Sequence, residues 1–275
     1  MNAKVIISLF ILAHVISDFL LQDDQLANKK KKNYKSLLKH SSIFWGTLFI
    51  VTFHYLSLKS PKLLLIQFIL VLSHCIIDKS IIYLEKKTSN HILLFIMDQL
   101  LHLVIILSTY TFLKNIEINP IGEYLNNLSI ELFPLFQNLN QQDWYIIILI
   151  LAGYLFVWEA GSIITRITLN NIIYPQNEKI KIIETSNKAG SLIGKLERTL
   201  ILTLVLSKSY ASISLIFAAK SVARFKNFED KDFIDYYIIG TFVSVITAIL
   251  IGLILNLIVN TSGYQEQFIF YQIFS

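Results

Sequence analysis

The chain has 275 residues, 54% of them hydrophobic and only 16% charged, with nine glycines, four prolines and one cysteine. Soluble domains carry roughly 45–50% apolar and about 25% charged residues, so a soluble α/β enzyme, a disordered chain and a disulfide scaffold are all excluded. The formal net charge of +5 then becomes a matter of which side of a bilayer holds the lysines.

A spanning helix needs about 20 mostly apolar residues. In chain order such runs occupy 5–21, 41–58, 63–84, 91–113, 144–164 and 234–259. Two shorter, charge-bearing runs occupy 191–206 and 210–225 and read as tilted spans, re-entrant helices or helices at the interface. The predicted fold class is therefore all-α: a polytopic membrane protein of about eight transmembrane or membrane-embedded helices. The first run carries His14 and Asp18 and lacks a small-residue cleavage site, so it reads as a retained helix. Loop charge sets the orientation. Segment 23–39 holds six lysines against two aspartates, which places the Lys29–Lys32 run on the cytoplasmic side. The acidic segment 114–143 suits the outside. Lys86 and Lys87, then Arg166, Lys179, Lys181 and Lys188, suit the inside, as does the loop from Lys226 to Asp235. With eight spans both termini are outside. The expected setting is a bacterial inner membrane, with the lipid bilayer as partner. The expected organisation is a helical bundle over 1–113, an extracytoplasmic linker of short amphipathic pieces over 114–143, and a second helical half over 144–275.

All six histidines lie in the first half. Three apolar runs pair a histidine with an aspartate at helical spacing: His14-x3-Asp18-x3-Gln22, His74-x3-Asp78, and Asp98-Gln99-x2-His102. A separation of four residues puts both side chains on one helix face. The order reverses where the helix direction reverses. The three histidines are thus expected at one depth, with the three aspartates about 6 Å nearer the cytoplasm. Ionisable groups within a bilayer cost several kcal/mol unless paired, metal-bound or solvated. Hydrogen-bonded packing explains one such pair, whereas three level-matched pairs point to a metal or proton site. His14, Asp18, His74, Asp78, Asp98 and His102 are the candidate ligands for a divalent metal such as Zn, Mn or Fe. Asp18, Asp78 and Asp98 are also candidate general bases if a metal-held water hydrolyses a substrate. Gln22, His40 and Gln99 are candidates for hydrogen bonds that orient the ligands. His54 and His91 lack an acidic partner, and Cys75 points to a different face from His74.

The strings HVISDFLLQ (14–22), LLKH (37–40), LSHCIID (72–78) and MDQLLH (97–102) resemble the signature of a bacterial integral membrane family known only as a domain of unknown function. The likeness covers about residues 1–115, and GKLERTLILTLVL (194–206), AAKSVARF (218–225) and DYYIIGTFVS (235–244) resemble the portion that follows it. A weaker likeness, in motif style, is to bacterial membrane-bound metal-dependent hydrolases, and it implies a hydrolase here.

The second half offers Arg198, Lys220 and Arg224 as a candidate site for a lipid headgroup or another anion. The alternative is that these cations pair with Glu159 and Glu197 across helices or snorkel to the headgroups. Gly240, Ser244, Ala248 and Gly252 recur every four residues and form a packing stripe, either within one chain or in a homo-oligomer. No Walker lysine motif, dinucleotide fingerprint, H-E-x-x-H or G-x-S-x-G occurs. No aromatic interleaving accompanies the lysine run, so nucleic acid is not an expected partner. Three functions remain: a membrane metalloprotein acting as a hydrolase on a lipid-linked or membrane-diffusing substrate, a proton-coupled or divalent-cation transporter, and a non-enzymatic assembly subunit.

Overall fold

The computed structural model describes residues 2–57, 61–173, 188–225, 229 and 231–262. Ten α-helices are named here in chain order, and the chain divides into two compact units, Met1–Ala152 and Gly153–Ser275.

In the first unit α1 (Asn2–Val15) is the central rod. No charged residue falls between Val5 and Ser17, and 72% of its apolar span is buried, against 22–39% for the other long apolar helices. A helix apolar on every side belongs inside a bundle. Ile6, Phe10 and Ala13 have no exposed surface and pack with Phe44, Leu48, Leu63, Leu70 and Ile106. These come from α3 (Tyr34–Val51), α4 (Lys62–Glu85) and α5 (His91–Ser108). The surrounding helices show single buried stripes. On α3 the stripe is Leu37, His40, Ser41, Phe44, Thr47 and Leu48; on α4 it is Leu63, Ile66, Gln67, Leu70, His74, Ile77 and Asp78. The polar residues thus lie on the stripe that helical periodicity turns inward.

Asparagine and aspartate caps start the shorter helices. Asp23 accepts from Leu26 N at 2.6 Å to open α2 (Asp24–Lys30), and Asn33 accepts from Lys35 N at 2.9 Å to open α3. The α3 boundary differs from the predicted run 41–58, because the Asn33 cap starts the helix seven residues earlier and Thr52 ends it. His40 consequently sits in its second turn, facing inward.

The segment predicted as a separate linker belongs to this first unit. Asn2 Nδ2 donates to Ile116 O at 2.8 Å. Asn119 caps α6 (Pro120–Leu132) by accepting from Gly122 N at 2.6 Å, and its own Nδ2 donates to Phe53 O and Leu56 O at 2.6 and 2.7 Å. Asn119→Ala removes the cap and one donor from each of two carbonyls, of which Phe53 O keeps Leu56 N. It is expected to destabilise the first unit by about 1–3 kcal/mol, read as a lower melting temperature in detergent. The unit boundary falls inside α7 (Gln141–Ile173), later than the predicted division.

The second unit holds the later part of α7 with α8 (Lys188–Leu206), α9 (Ile213–Arg224) and α10 (Lys231–Thr261). The small-residue stripe on α10 is used inside the chain. Ala248 has no exposed surface, a Cβ on Gly252 would fall 2.5 Å from Val205 Cγ1 of α8, and Gly240 faces Leu169 of α7. Ser244 accepts a hydrogen bond from Arg198.

Among the described residues, five helices are long and apolar enough to cross a membrane: Asn2–Leu20, Lys62–Glu85, His91–Leu113, Gln141–Asn171 and Phe233–Thr261. Five of the predicted membrane-embedded helices thus have the length and apolarity of a span. The 12 residues of α9 rise only about 18 Å, short of a ~30 Å hydrocarbon core. α3 and α8 carry too many polar residues. Lys59, Lys179, Lys181 and Lys226, on which the predicted orientation partly rests, lie outside the described residues.

Candidate metal centre

α1 ends in a π-helical turn over Ile16–Leu20, closed by Leu21 N donating to Ile16 O at 3.0 Å. Such turns are rare and recur at functional sites. Here the turn carries Asp18, so the four-residue spacing from His14 is not that of a regular helix. The His14 Nδ1–Asp18 Oδ1 separation is 3.7 Å. Ser17, in the same turn, donates to Asp18 Oδ1 at 2.9 Å.

Four donor atoms from two helices and this turn converge. His74 Nε2 on α4 lies 3.0 Å from His40 Nε2 on α3. His40 Nε2 is 3.4 Å from Asp18 Oδ1 and 3.6 Å from Asp78 Oδ2. His74 Nε2 is 3.7 and 3.9 Å from the same two oxygens. All four residues are at most 6% exposed.

His14 and His102 pack against this set. Ring centroids of His14 and His102 are 4.7 Å apart, and those of His74 and His102 are 4.4 Å apart. His102 Nδ1 lies 2.9 Å from the Asp98 carbonyl oxygen. That oxygen can only accept, so in the neutral ring Nδ1 carries the hydrogen and Nε2 presents a lone pair. His102 Nε2 is buried without a hydrogen-bond partner, as are Asp98 Oδ1 and both ring nitrogens of His14. Gln99 approaches His14, but its amide nitrogen donates to Asp98 Oδ2 at 3.0 Å. Three groups of donor atoms lie within 4.8 Å of one another: His14, His74 and His102; Asp18, His40 and His74; Asp78, Asp98 and His102. Buried polar atoms are ordinarily paired. This concentration of bare nitrogens and carboxylate oxygens fits a divalent cation.

One predicted residue stands apart from the cluster. The Gln22 side-chain oxygen is buried without a partner, and no hydrogen bond joins it to the others. His40, expected to act at one remove, is instead among the converging atoms. Sequence reasoning missed Lys30, whose Nζ lies 3.0 Å from Asp78 Oδ2 with the side chain 13% exposed. Burial alone would lower its pKa, but the carboxylates of Asp78 and Asp18 outweigh that and raise it above the ordinary lysine value. The ammonium is thus a fixed charge on the cluster. The signal in the sequence was faint: Asp23 as a cap, and Leu26 as the one buried residue of α2. Lys31 pairs with Glu85, and Lys79 lies 5.3 Å over the Tyr34 ring, which ties the α2–α3 connection to the end of α4.

Residues 6–126 match the model of a family described as a protein of unknown function, DUF3307. The matched segment contains all three donor groups and Lys30 and ends within α6. No curated protein and no solved structure matches the chain.

Of the three cations predicted for an anion site, Arg198 and Lys220 are engaged within the second unit. Arg198 is 3% exposed and gives its donors to protein: Nε to Val157 O at 2.7 Å, Nη1 to Ser244 Oγ at 3.0 Å, and Nη2 to Ser162 Oγ and Trp158 O at 2.5 and 3.3 Å. Lys220 donates to Glu197 at 2.6 Å and Lys195 to Glu159 at 2.5 Å. Two of the three predicted cations therefore already have partners within the chain, and this favours cross-helix pairing over headgroup binding.

Proposed function

We propose that this is a membrane metalloprotein that holds a divalent cation (Zn, Mn or Fe) between Asp18, His40, His74 and Asp78 and hydrolyses a lipid-linked or membrane-diffusing substrate. One observation carries the reading. Five donor separations among these four side chains, 3.0–3.9 Å, bracket the ~3.4 Å expected between ligands about 2.0–2.1 Å from a tetrahedral ion. Charge agrees with it. With Asp98 beside Asp78, the carboxylates of Asp18, Asp78 and Asp98 and the Lys30 ammonium leave two negative charges, which one divalent cation neutralises. If the ion expands to five-coordinate it can take a water, lower its pKa to near neutrality and so supply a hydroxide for hydrolysis.

The surroundings support a substrate that arrives through lipid. The Asp98 side chain is 17% exposed on α5, beside exposed Met97, Leu100 and Leu101. The lysines of the α2–α3 connection support a cytoplasmic position for the Asp18–Asp78 side of the cluster in a bacterial inner membrane. Elemental analysis of the full chain, purified without chelators, tests the reading. At least one transition metal per chain is expected, and its absence from the wild type overturns it. Uptake of divalent cations into liposomes, without hydrolysis of membrane-borne esters or phosphoesters, would replace the hydrolase by a transporter.

A further inference from the structure

We infer that the cluster is a dinuclear centre: a second divalent cation sits between Asp78, Asp98 and His102, with His14 beside it, and Asp78 bridges the two ions. The inference rests on the proposed first metal position and deepens it.

Apart from the shared Asp78, the observations come from side chains that the first position leaves unused. Asp18, His40 and His74 form one donor group, and Asp78, Asp98 and His102 form another, each within 4.8 Å. Asp78 Oδ2 also lies 3.6 Å from His40 Nε2, which places this carboxylate on both groups. The second group has the stronger need for a ligand. Asp98 Oδ1, His102 Nε2 and both nitrogens of His14 are buried and unpartnered, and His14 and His102 are only 5% and 3% exposed. The Nδ1–H of His102 is already held by the Asp98 carbonyl, which aims the ring and leaves Nε2 as its ligand atom. A shared carboxylate with a separate nitrogen–oxygen set on either side is the construction of two-metal hydrolytic sites, whose ions lie about 3.5–4 Å apart and clamp the attacking and leaving oxygens of a displacement.

Charge determines how the second ion is accommodated. One divalent cation already neutralises the three carboxylates and Lys30. A second becomes tolerable when the Lys30 ammonium releases Asp78 Oδ2, or when a water between the ions gives up a proton to solvent and remains as hydroxide. Lys30 is therefore a tethered competitor for the bridging carboxylate. Its removal should strengthen binding of the second cation, by at least tenfold.

Titration of the metal-free full chain with Mn²⁺ in detergent tests this, read by bound metal per chain and by electron paramagnetic resonance. The wild type is expected to bind two ions with an exchange-coupled spectrum. Asp98→Asn and His102→Ala should retain one ion with an isolated six-line signal, and Lys30→Met should bind the second ion at least tenfold more tightly. One ion per wild-type chain overturns the second position while leaving the first standing. Two ions without exchange coupling overturn the bridging role of Asp78. No bound ion overturns the proposed metal function itself. The wild-type result decides these cases even if a variant fails to fold.

Discussion

His74→Ala is expected to weaken divalent-cation binding a hundredfold or more, the largest effect of any single substitution in the first unit. Loss of a group that only orients a ligand costs about 10–100-fold, and His74 is placed to be a ligand itself. Its Nε2 lies 3.0 Å from His40 Nε2 and within 3.9 Å of Asp18 and Asp78. Its ring is also 4.4 Å from that of His102, so both donor groups lose a wall. His74 is 1% exposed, and a cavity left by alanine carries its own cost in stability. Two measurements separate the causes. His74→Gln keeps volume and polarity and should fold with a melting temperature near wild type while still losing metal. His54→Ala removes an exposed imidazole outside the cluster and should bind as wild type does. Wild-type metal content in folded His74→Ala would show that the histidines are packing devices.

Much of this site was legible because helical periodicity is strict. Leu70, His74, Ile77 and Asp78 on α4, and Leu94, Asp98, His102 and Ile106 on α5, recur every three or four residues. Spacing alone therefore put each polar pair on the buried stripe. Two features escaped for physical reasons. The π-helical turn at Ile16–Leu20 shifts Asp18 relative to His14, and apolar periodicity does not encode that departure. Lys30 lies in a run of four lysines whose average property is a topology signal, yet the Asp23 cap and the buried Leu26 direct this one ammonium onto Asp78. Helix count was the least legible part. Hydropathy registers apolar length, whereas α3 crosses the first unit as a half-polar helix whose inward face is fixed by packing against α1 and α4.

The second large effect concerns Arg198 and reverses the usual expectation that removing a charge is worse than adding a small apolar side chain. Arg198 places its guanidinium against Gly161, where a Cβ would fall 2.7 Å from its Cδ and Nε. Gly161→Val drives the side chain off Val157 O, Ser162 Oγ and Ser244 Oγ while the charge stays buried. A buried charge stripped of its partners costs about 3–5 kcal/mol. Arg198→Met instead removes the charge together with its desolvation penalty and keeps most of the aliphatic length. The acceptors it abandons include two α7 carbonyls that retain helix hydrogen bonds, so the loss is about 1–3 kcal/mol. Unfolding of the second unit should therefore be easier in Gly161→Val than in Arg198→Met. The double variant should be less damaged than the two costs added together, because valine then meets no charge to displace. Thermal or denaturant unfolding in detergent checks both points. Strict additivity, or an Arg198→Met variant weaker than Gly161→Val, would mean that the guanidinium stabilises the unit by more than its burial costs. Arg198 would then be a main support of the helix packing among α7, α8 and α10.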